Sequence, residues 1–315
     1  MKFFIPGFAL LLFSLALSAP SCKDTDDGVT LPTIVETAIA SPNLSTLVAA
    51  LQRADLVSAL NAPGQNFTVL APTNEAFNKL LQALGVSRLE DIPVDVLAQV
   101  LRNHVVSGVA KSTDLSTGYV NTLATFRGTD NPISLFVNTA SGVRFNNTAN
   151  VTTADVEASN GVVHIIDAVI LPPTVVNHAL NNPNFSVLVQ ALTRSDLGVD
   201  YPAILSGDGP FTVFAPTNAA FTALLQELGA ASLNDIPAAT LNAVLQYHVV
   251  NGANVRSTAL TEGQSVTTFQ GGTFTIGLTG GPKITDAKGR VANIIATDVQ
   301  GSNGVVHAID KVILP

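Results

Sequence analysis

"FTVLAPTNEAF" (Phe67–Phe77) and "FTVFAPTNAAF" (Phe211–Phe221) agree at nine of eleven positions. Each opens with a β-rich run that stops at proline, a residue that cannot donate to a sheet ladder. Thr73 follows Pro72, and its hydroxyl is suited to accept from the free N–H groups of a first helical turn. Phe77, Leu80, Leu81 and Leu84 then recur at helical spacing, and Gly85 marks a helix end. Thr217, Phe221, Leu224, Leu225, Leu228 and Gly229 repeat the pattern. Strand, proline stop, threonine cap and amphipathic helix together form a folding instruction that needs no chemistry.

Other landmarks recur in the same order. "DIP" at Asp91–Pro93 returns at Asp235–Pro237, and His104 returns as His248, both shifted by 144 like the opening stretch. "SNGVVHIIDAVILP" (Ser159–Pro172) returns as "SNGVVHAIDKVILP" (Ser302–Pro315), with twelve of fourteen letters shared. The period is too long for a solenoid and is the size of a domain. The chain therefore reads as a tandem duplication, 31–171 and 172–315. Pro172 and Pro173 leave a short, stiff connection that should restrict the relative orientation of the copies.

Each copy places helices first and strands later. Leu44, Leu47, Val48 and Leu51 have helical spacing, and a further helix starting near Pro93 should bury Val94, Leu97 and Leu101. The second half is rich in Thr, Val, Gly and Asn in short alternating runs, and "GVVHIIDAVIL" closes it as a strand. Little β-α-β alternation implies an α+β fold rather than a parallel doubly wound sheet.

The 315 residues are 47% hydrophobic and 12% charged, which argues against disorder. A net charge of −8, with no basic run, excludes nucleic acid as an expected partner. Residues 1–21 read as a signal peptide: Lys2, an apolar run from Phe3 to Leu17, then small residues. The single cysteine, Cys22, sits where the signal would end. "SAPSC" resembles a bacterial lipobox, so Cys22 is the expected lipidation site and the membrane is met only through that anchor. "KDTDDG" lies in the 22–30 stretch, which reads as a flexible tether. It resembles the export tag of surface lipoproteins. The location expected is the cell envelope, as an outer-membrane lipoprotein, surface-exposed or secreted.

The two repeated stretches resemble the two signatures of the fasciclin domain. An aromatic–His pair lies between those signatures in the family. "YHVV" at Tyr247–Val250 matches it, whereas the first copy has "NHVV" with Asn103 in place of Tyr. The resemblance implies two tandem domains, each a β-sandwich or wedge flanked by several helices. It also implies secreted or surface location and a role in adhesion, with no shared catalytic activity. Asp91–Ile92 and Asp235–Ile236, with Tyr247 and His248, resemble reported integrin contacts of animal relatives and are the candidate ligand-binding residues. The alternative for Asp91 and Asp235 is capping of the following helix at its positive end.

Histidines are the remaining chemical candidates. His104 and His248 follow the inner face of a helix, while His164 and His307 lie in apolar strands, settings in which a lone imidazole is usually neutral and hydrogen-bonded to backbone. His178 falls between the copies. With two strong His candidates per copy and no Cys, no metal or cofactor is expected. There is no G-x-S-x-G elbow, and Asp167 and Asp310, three residues beyond the strand histidines, fall on the opposite strand face. No catalytic residue is assigned. Gly271, Gly272, Gly280 and Gly281 read as hairpin turns. Sequons at Asn43, Asn66, Asn146, Asn150 and Asn184 would be glycan acceptors only in a eukaryotic secreted protein. The expected partner is an extracellular protein or a polysaccharide. The first suits an adhesin, and the second suits an accessory protein despite the lack of Trp. A structural envelope protein without soluble ligand is the other alternative.

Overall fold

The computed structural model describes residues 30–315; the expected signal peptide, most of the tether and Cys22 lie outside them. The first copy runs α1 (Ile34–Ala40), α2 (Ser45–Arg53), α3 (Val57–Leu60), β1 (Phe67–Pro72), α4 (Asn74–Leu84) and α5 (Val94–Arg102). It continues β2 (Val105–Ser107), β3 (Gly118–Thr125), β4 (Pro132–Asn138), β5 (Arg144–Phe145), β6 (Ala149–Ala158) and β7 (Gly161–Ile166). The second copy repeats the order: α6 (Val175–Asn181), α7 (Ser186–Leu192), α8 (Tyr201–Leu205), β8 (Phe211–Pro216), α9 (Asn218–Leu228), α10 (Ala238–Tyr247) and β9 (Val249–Asn251). It ends with β10 (Ser265–Thr267), β11 (Thr273–Gly277), β12 (Lys283–Thr285), β13 (Val291–Gly301) and β14 (Gly304–Ile309). The class is α+β. Each copy carries one seven-stranded sheet that curls on itself, closed into a barrel in the first copy and open between β9 and β10 in the second.

The two signature stretches of each copy are neighbouring strands. β1 runs parallel to β7, from Phe67 opposite Gly161 to Pro72 opposite Ile166, and β8 pairs with β14 in the same register. All six residues of β1 are buried. Thr73 accepts from the Ala76 N–H at 3.2 Å and Thr217 from the Ala220 N–H at 3.3 Å, so α4 and α9 start where the strands stop. Gly85 and Gly229 end those helices in the left-handed region. Leu84 and Leu228, expected on the apolar face, are instead exposed because the last turn overhangs the core. Val94 is exposed too, and α5 buries Leu97, Val100 and Leu101.

The letters of "SNG" each have a structural task. The Ser159 and Ser302 N–H groups donate to the Pro32 and Pro173 carbonyls. Asn160 accepts from the Ile34 N–H at 2.8 Å and donates to the Leu60 carbonyl at 2.7 Å, tying the start of α1 to the end of α3. Asn303 does the same between Val175 and Leu205. A Cβ on Gly161 would lie 1.9 Å from the Phe67 carbonyl oxygen, and one on Gly304 would lie 2.2 Å from that of Phe211.

Each copy has its own apolar clusters, one between helices and sheet and one on the other side of the sheet. Leu31–Pro315 nevertheless forms one compact unit. At the seam between copies the Tyr119 hydroxyl accepts from the Asn182 amide at 3.2 Å, and its ring meets His178 edge-on at 5.5 Å. The buried Gln300 N–H donates to the Ser134 hydroxyl at 3.0 Å.

Gly161→Ala should separate the β1/β7 pair and cost about 3 kcal/mol. Gly118→Ala, whose Cβ would meet nothing within 4 Å, should stay within about 0.5 kcal/mol of the parent. Urea unfolding of the two variants side by side measures both; equal midpoints would contradict the close-approach role of Gly161.

Candidate functional site

The Asp-Ile loops lie just before α5 and α10, and the structure separates their two residues. Asp91 and Asp235 are exposed, whereas Ile92 and Ile236 are only 6% and 5% exposed and pack in the core. The carboxylates do not cap the following helices, whose N-cap residues are Pro93 and Pro237 without a side-chain bond. They close the turn before: Asp91 accepts from the Arg88 N–H at 3.1 Å, and Asp235 accepts from the Ser232 and Ala231 N–H groups at 2.8 and 3.0 Å. Tyr247 and His248 are buried at 0% and 3% exposure, so neither reaches the surface. Of the six candidate contact residues, only the two aspartates face solvent. The isoleucines turn inward at the base of the loop, and the Tyr–His pair does so at the far end of α10, because apolar and aromatic surface is buried.

Two arginines that sequence reading passed over hold these loops. Arg53 donates to the carbonyls of Leu89, Glu90 and Ile92 at 2.9, 2.9 and 3.0 Å. Arg194 donates to Leu233 and Ile236 at 2.6 and 2.8 Å. Their only signal was the shared spelling "RADL" and "RSDL" at corresponding places.

Every motif histidine is engaged at both ring nitrogens. In His104, Nδ1 donates to the Val100 carbonyl at 2.7 Å and Nε2 accepts from the Ile170 N–H at 2.9 Å. His248 does the same with Val244 and Ile313. An amide N–H can be accepted only by an unprotonated nitrogen, so these rings are neutral. In His164 and His307 the tautomer is reversed: Nδ1 accepts from the Asp155 or Asp298 N–H, and Nε2 donates to the Ala110 or Val255 carbonyl.

A second feature missed in the sequence is a serine–aspartate–histidine cluster in each copy. The Ser112 and Ser257 hydroxyls donate to Asp155 and Asp298, and both aspartates sit at left-handed φ of 59° and 60° in the bulges of β6 and β13. Those hydrogen bonds hold the Asp155 carboxyl below its usual range. Each serine donates to the aspartate rather than to the ring, and each ring lone pair is already taken by an amide. The arrangement therefore supplies no base to a serine nucleophile and instead pins the loop after β2 or β9 to the bulge. Asp167 and Asp310 are occupied elsewhere, accepting from Asn150 and Asn293. Among the described residues no group of three or more His, Cys, Asp or Glu converges to hold a metal ion.

Burial pushes the His104, His178 and His248 imidazoles down from 6.5 to about 4. A folded value below the unfolded one means that the unfolded chain binds the proton better. Stability is then complete above about pH 7 and is lost as pH falls through 6.5 toward 4, by about 1 to 2 kcal/mol per histidine at pH 5. Urea midpoints at pH 7.5 and 5.0 should differ accordingly; a flat profile would contradict neutral burial.

Comparison with known proteins places this geometry. The fasciclin domain model matches residues 42–172 and 183–315. Protein sll1483 of Synechocystis sp. is 44% identical over 182 residues, covering 54% of this chain and 93% of its own. Transforming growth factor-beta-induced protein ig-h3 of Sus scrofa is 32% identical over 263 residues, covering 81% of this chain but only 35% of its own length. The chain thus spans about a third of that animal relative. The solved FAS1 domain pair from the insect cell adhesion molecule fasciclin I shares the fold at a TM-score of 0.51 and 20% identity, covering 89% of this chain and 96% of that one. The chain belongs to the fasciclin-domain family and carries the domain twice.

Proposed function

We propose that the chain is a non-catalytic extracellular adhesion protein, held at the cell envelope by lipidation of Cys22, that binds a protein partner through exposed loops. The observation supporting this is the engagement of the motif side chains. His104, His164, His248 and His307 all bond to backbone, and Tyr247, Ile92 and Ile236 are buried. The shared letters build a scaffold, and what they leave outside, twice, are the loops at Asp91 and Asp235. Arg53 and Arg194 fix the backbone of those loops, so little conformational freedom is lost when a partner docks. Two weak sites on one chain can exceed either alone by about 10²–10⁴-fold where both engage. The fold shared with a domain pair from a cell adhesion molecule agrees with the same reading.

Protease treatment of intact cells should remove the protein, and cells lacking it should attach less well to surfaces or neighbours. Cys22→Ser should release the chain from the membrane fraction. Unchanged attachment would refute the adhesive role, and a membrane-bound Cys22→Ser variant would refute the anchor.

A further inference from the structure

The two copies carry a cavity at the same place, beside the start of β1 or β8, and they treat it differently. In the first copy Phe67 and Val105 lie at its base, Leu56 and Ala59 of the α3 segment form one wall, and Leu123 and Arg102 stand at the mouth. Its volume is about 250 Å³. In the second copy Phe211 and Val249 take the places of Phe67 and Val105, but Ile204 replaces Ala59 and the Tyr201 ring enters the lining. The volume there falls to about 120 Å³. A three-residue longer connection, through Gly198–Asp200, carries the Tyr201 ring in. The tyrosine hydroxyl is then fixed by donating to Asn242 at 2.8 Å and accepting from Gln246 at 3.2 Å. Gln246 stands where the first copy has Arg102, 144 residues earlier. The second copy has filled its cavity with its own side chains and has no cation at the mouth.

We propose that the first-copy cavity binds a small monocarboxylic amphiphile of the medium-chain fatty acid kind, its tail against Phe67 and Val105 and its carboxylate at Arg102. The walls are apolar, which favours a hydrocarbon tail over a sugar or an ion. At roughly 30 Å³ per water-sized group the volume holds about eight such groups. Arg102 is in the last turn of α5, exposed, and among the described residues its guanidinium donates no side-chain hydrogen bond and meets no carboxylate. A planar guanidinium beside an apolar opening matches a carboxylate head, which it can meet with two parallel N–H donors. Polar atoms other than that cation contribute little to the lining, so a ligand rich in hydroxyl groups would leave its own groups unpaired.

Sodium octanoate titrated into the full chain, followed by amide NMR, tests this. Saturable shifts at Leu60, Val105 and Leu123 in the millimolar range are expected, with none at Leu205, Val249 and Phe269. Ala59→Ile installs the side chain that the second copy already tolerates and should abolish binding without changing the thermal melt. Arg102→Gln should weaken octanoate about two- to fivefold while leaving 1-octanol unchanged. Absence of saturable shifts, or binding that survives Ala59→Ile, would overturn the site. Equal octanoate affinity in Arg102→Gln would overturn the carboxylate assignment.

Discussion

The parallel pairing of β1 with β7, and of β8 with β14, is the contact on which each copy depends. Parallel strands need a long crossover between them, and here nearly the whole domain is that crossover. Closing so long a loop costs chain entropy that grows only slowly with length. Once it is closed, the two strands bury apolar faces on both sides, against helices on one side and against the curled remainder of the sheet on the other. Gly161 and Gly304 allow the backbones to meet, Asn160 and Asn303 fasten the first helices across the end, and Thr73 and Thr217 turn the chain out into the next helix. These residues belong to the two stretches spelled most alike in the copies. Their similarity follows from one geometric demand met twice.

The copies are separate in their cores yet joined at a seam. The linker is held by a backbone bond from the Ser302 N–H to the Pro173 carbonyl, and a Cβ on Gly301 would lie 2.9 Å from that same oxygen. Strand β4 of the first copy lies against β13 of the second, with Ser134 and Gln300 bonded across it. Tyr119 lies between Phe136 of its own copy, tilted against it, and His178 of the other, met edge-on. His178 lies fully buried at the seam, with Nε2 on the Gln300 carbonyl, so the acid sensitivity of its imidazole bears on the joint between copies as well as on either core.

Much of this was legible in the sequence because it is written in period and in repetition. Strand, proline, threonine cap and helix follow one another along the chain, and each uses a local rule that a reader can apply to Phe67–Gly85 alone. The adjacency of β1 and β7 is not local, and nothing in the alternation of "FTVLA" or "GVVHII" names its neighbour. Burial at helix ends was misjudged for a similar reason. Leu84, Leu228 and Val94 have the right spacing, but the core they would enter has already ended at that level. The Asp-Ile loops were misread in part because a sequence shows residue type without direction. The aspartates closed the preceding turn, and the isoleucines beside them turned inward. Arg53 and Arg194 were passed over because a single arginine at or just past a helix end looks like solvent-exposed charge until its carbonyl partners, 36 to 42 residues away, are seen.

The closed and open sheets go with a difference at one buried position, Asn103 in the first copy against Tyr247 in the second. Asn103 is small, buried and donates to the Ile170 carbonyl, and its own oxygen accepts from the Thr122 hydroxyl. That bond draws β3 against β2, where Val106 pairs with Thr122 and completes the barrel. Tyr247 puts a ring in the same place. It packs edge-on to Phe274, its hydroxyl donates to the Thr273 carbonyl at 2.6 Å, and Gly272 gives way to it, since a Cβ there would lie 3.2 Å from the ring. The ring holds the β10–β11 hairpin at arm's length from β9, and the Phe269 N–H bond to the Val249 carbonyl spans the gap without building a ladder. A side chain that fills the interior thus keeps the sheet apart, whereas one that is too short to fill it draws the sheet shut. The second copy is also the more filled of the two beside the start of β8, where Tyr201 lines a cavity of about 120 Å³ against about 250 Å³ in the first.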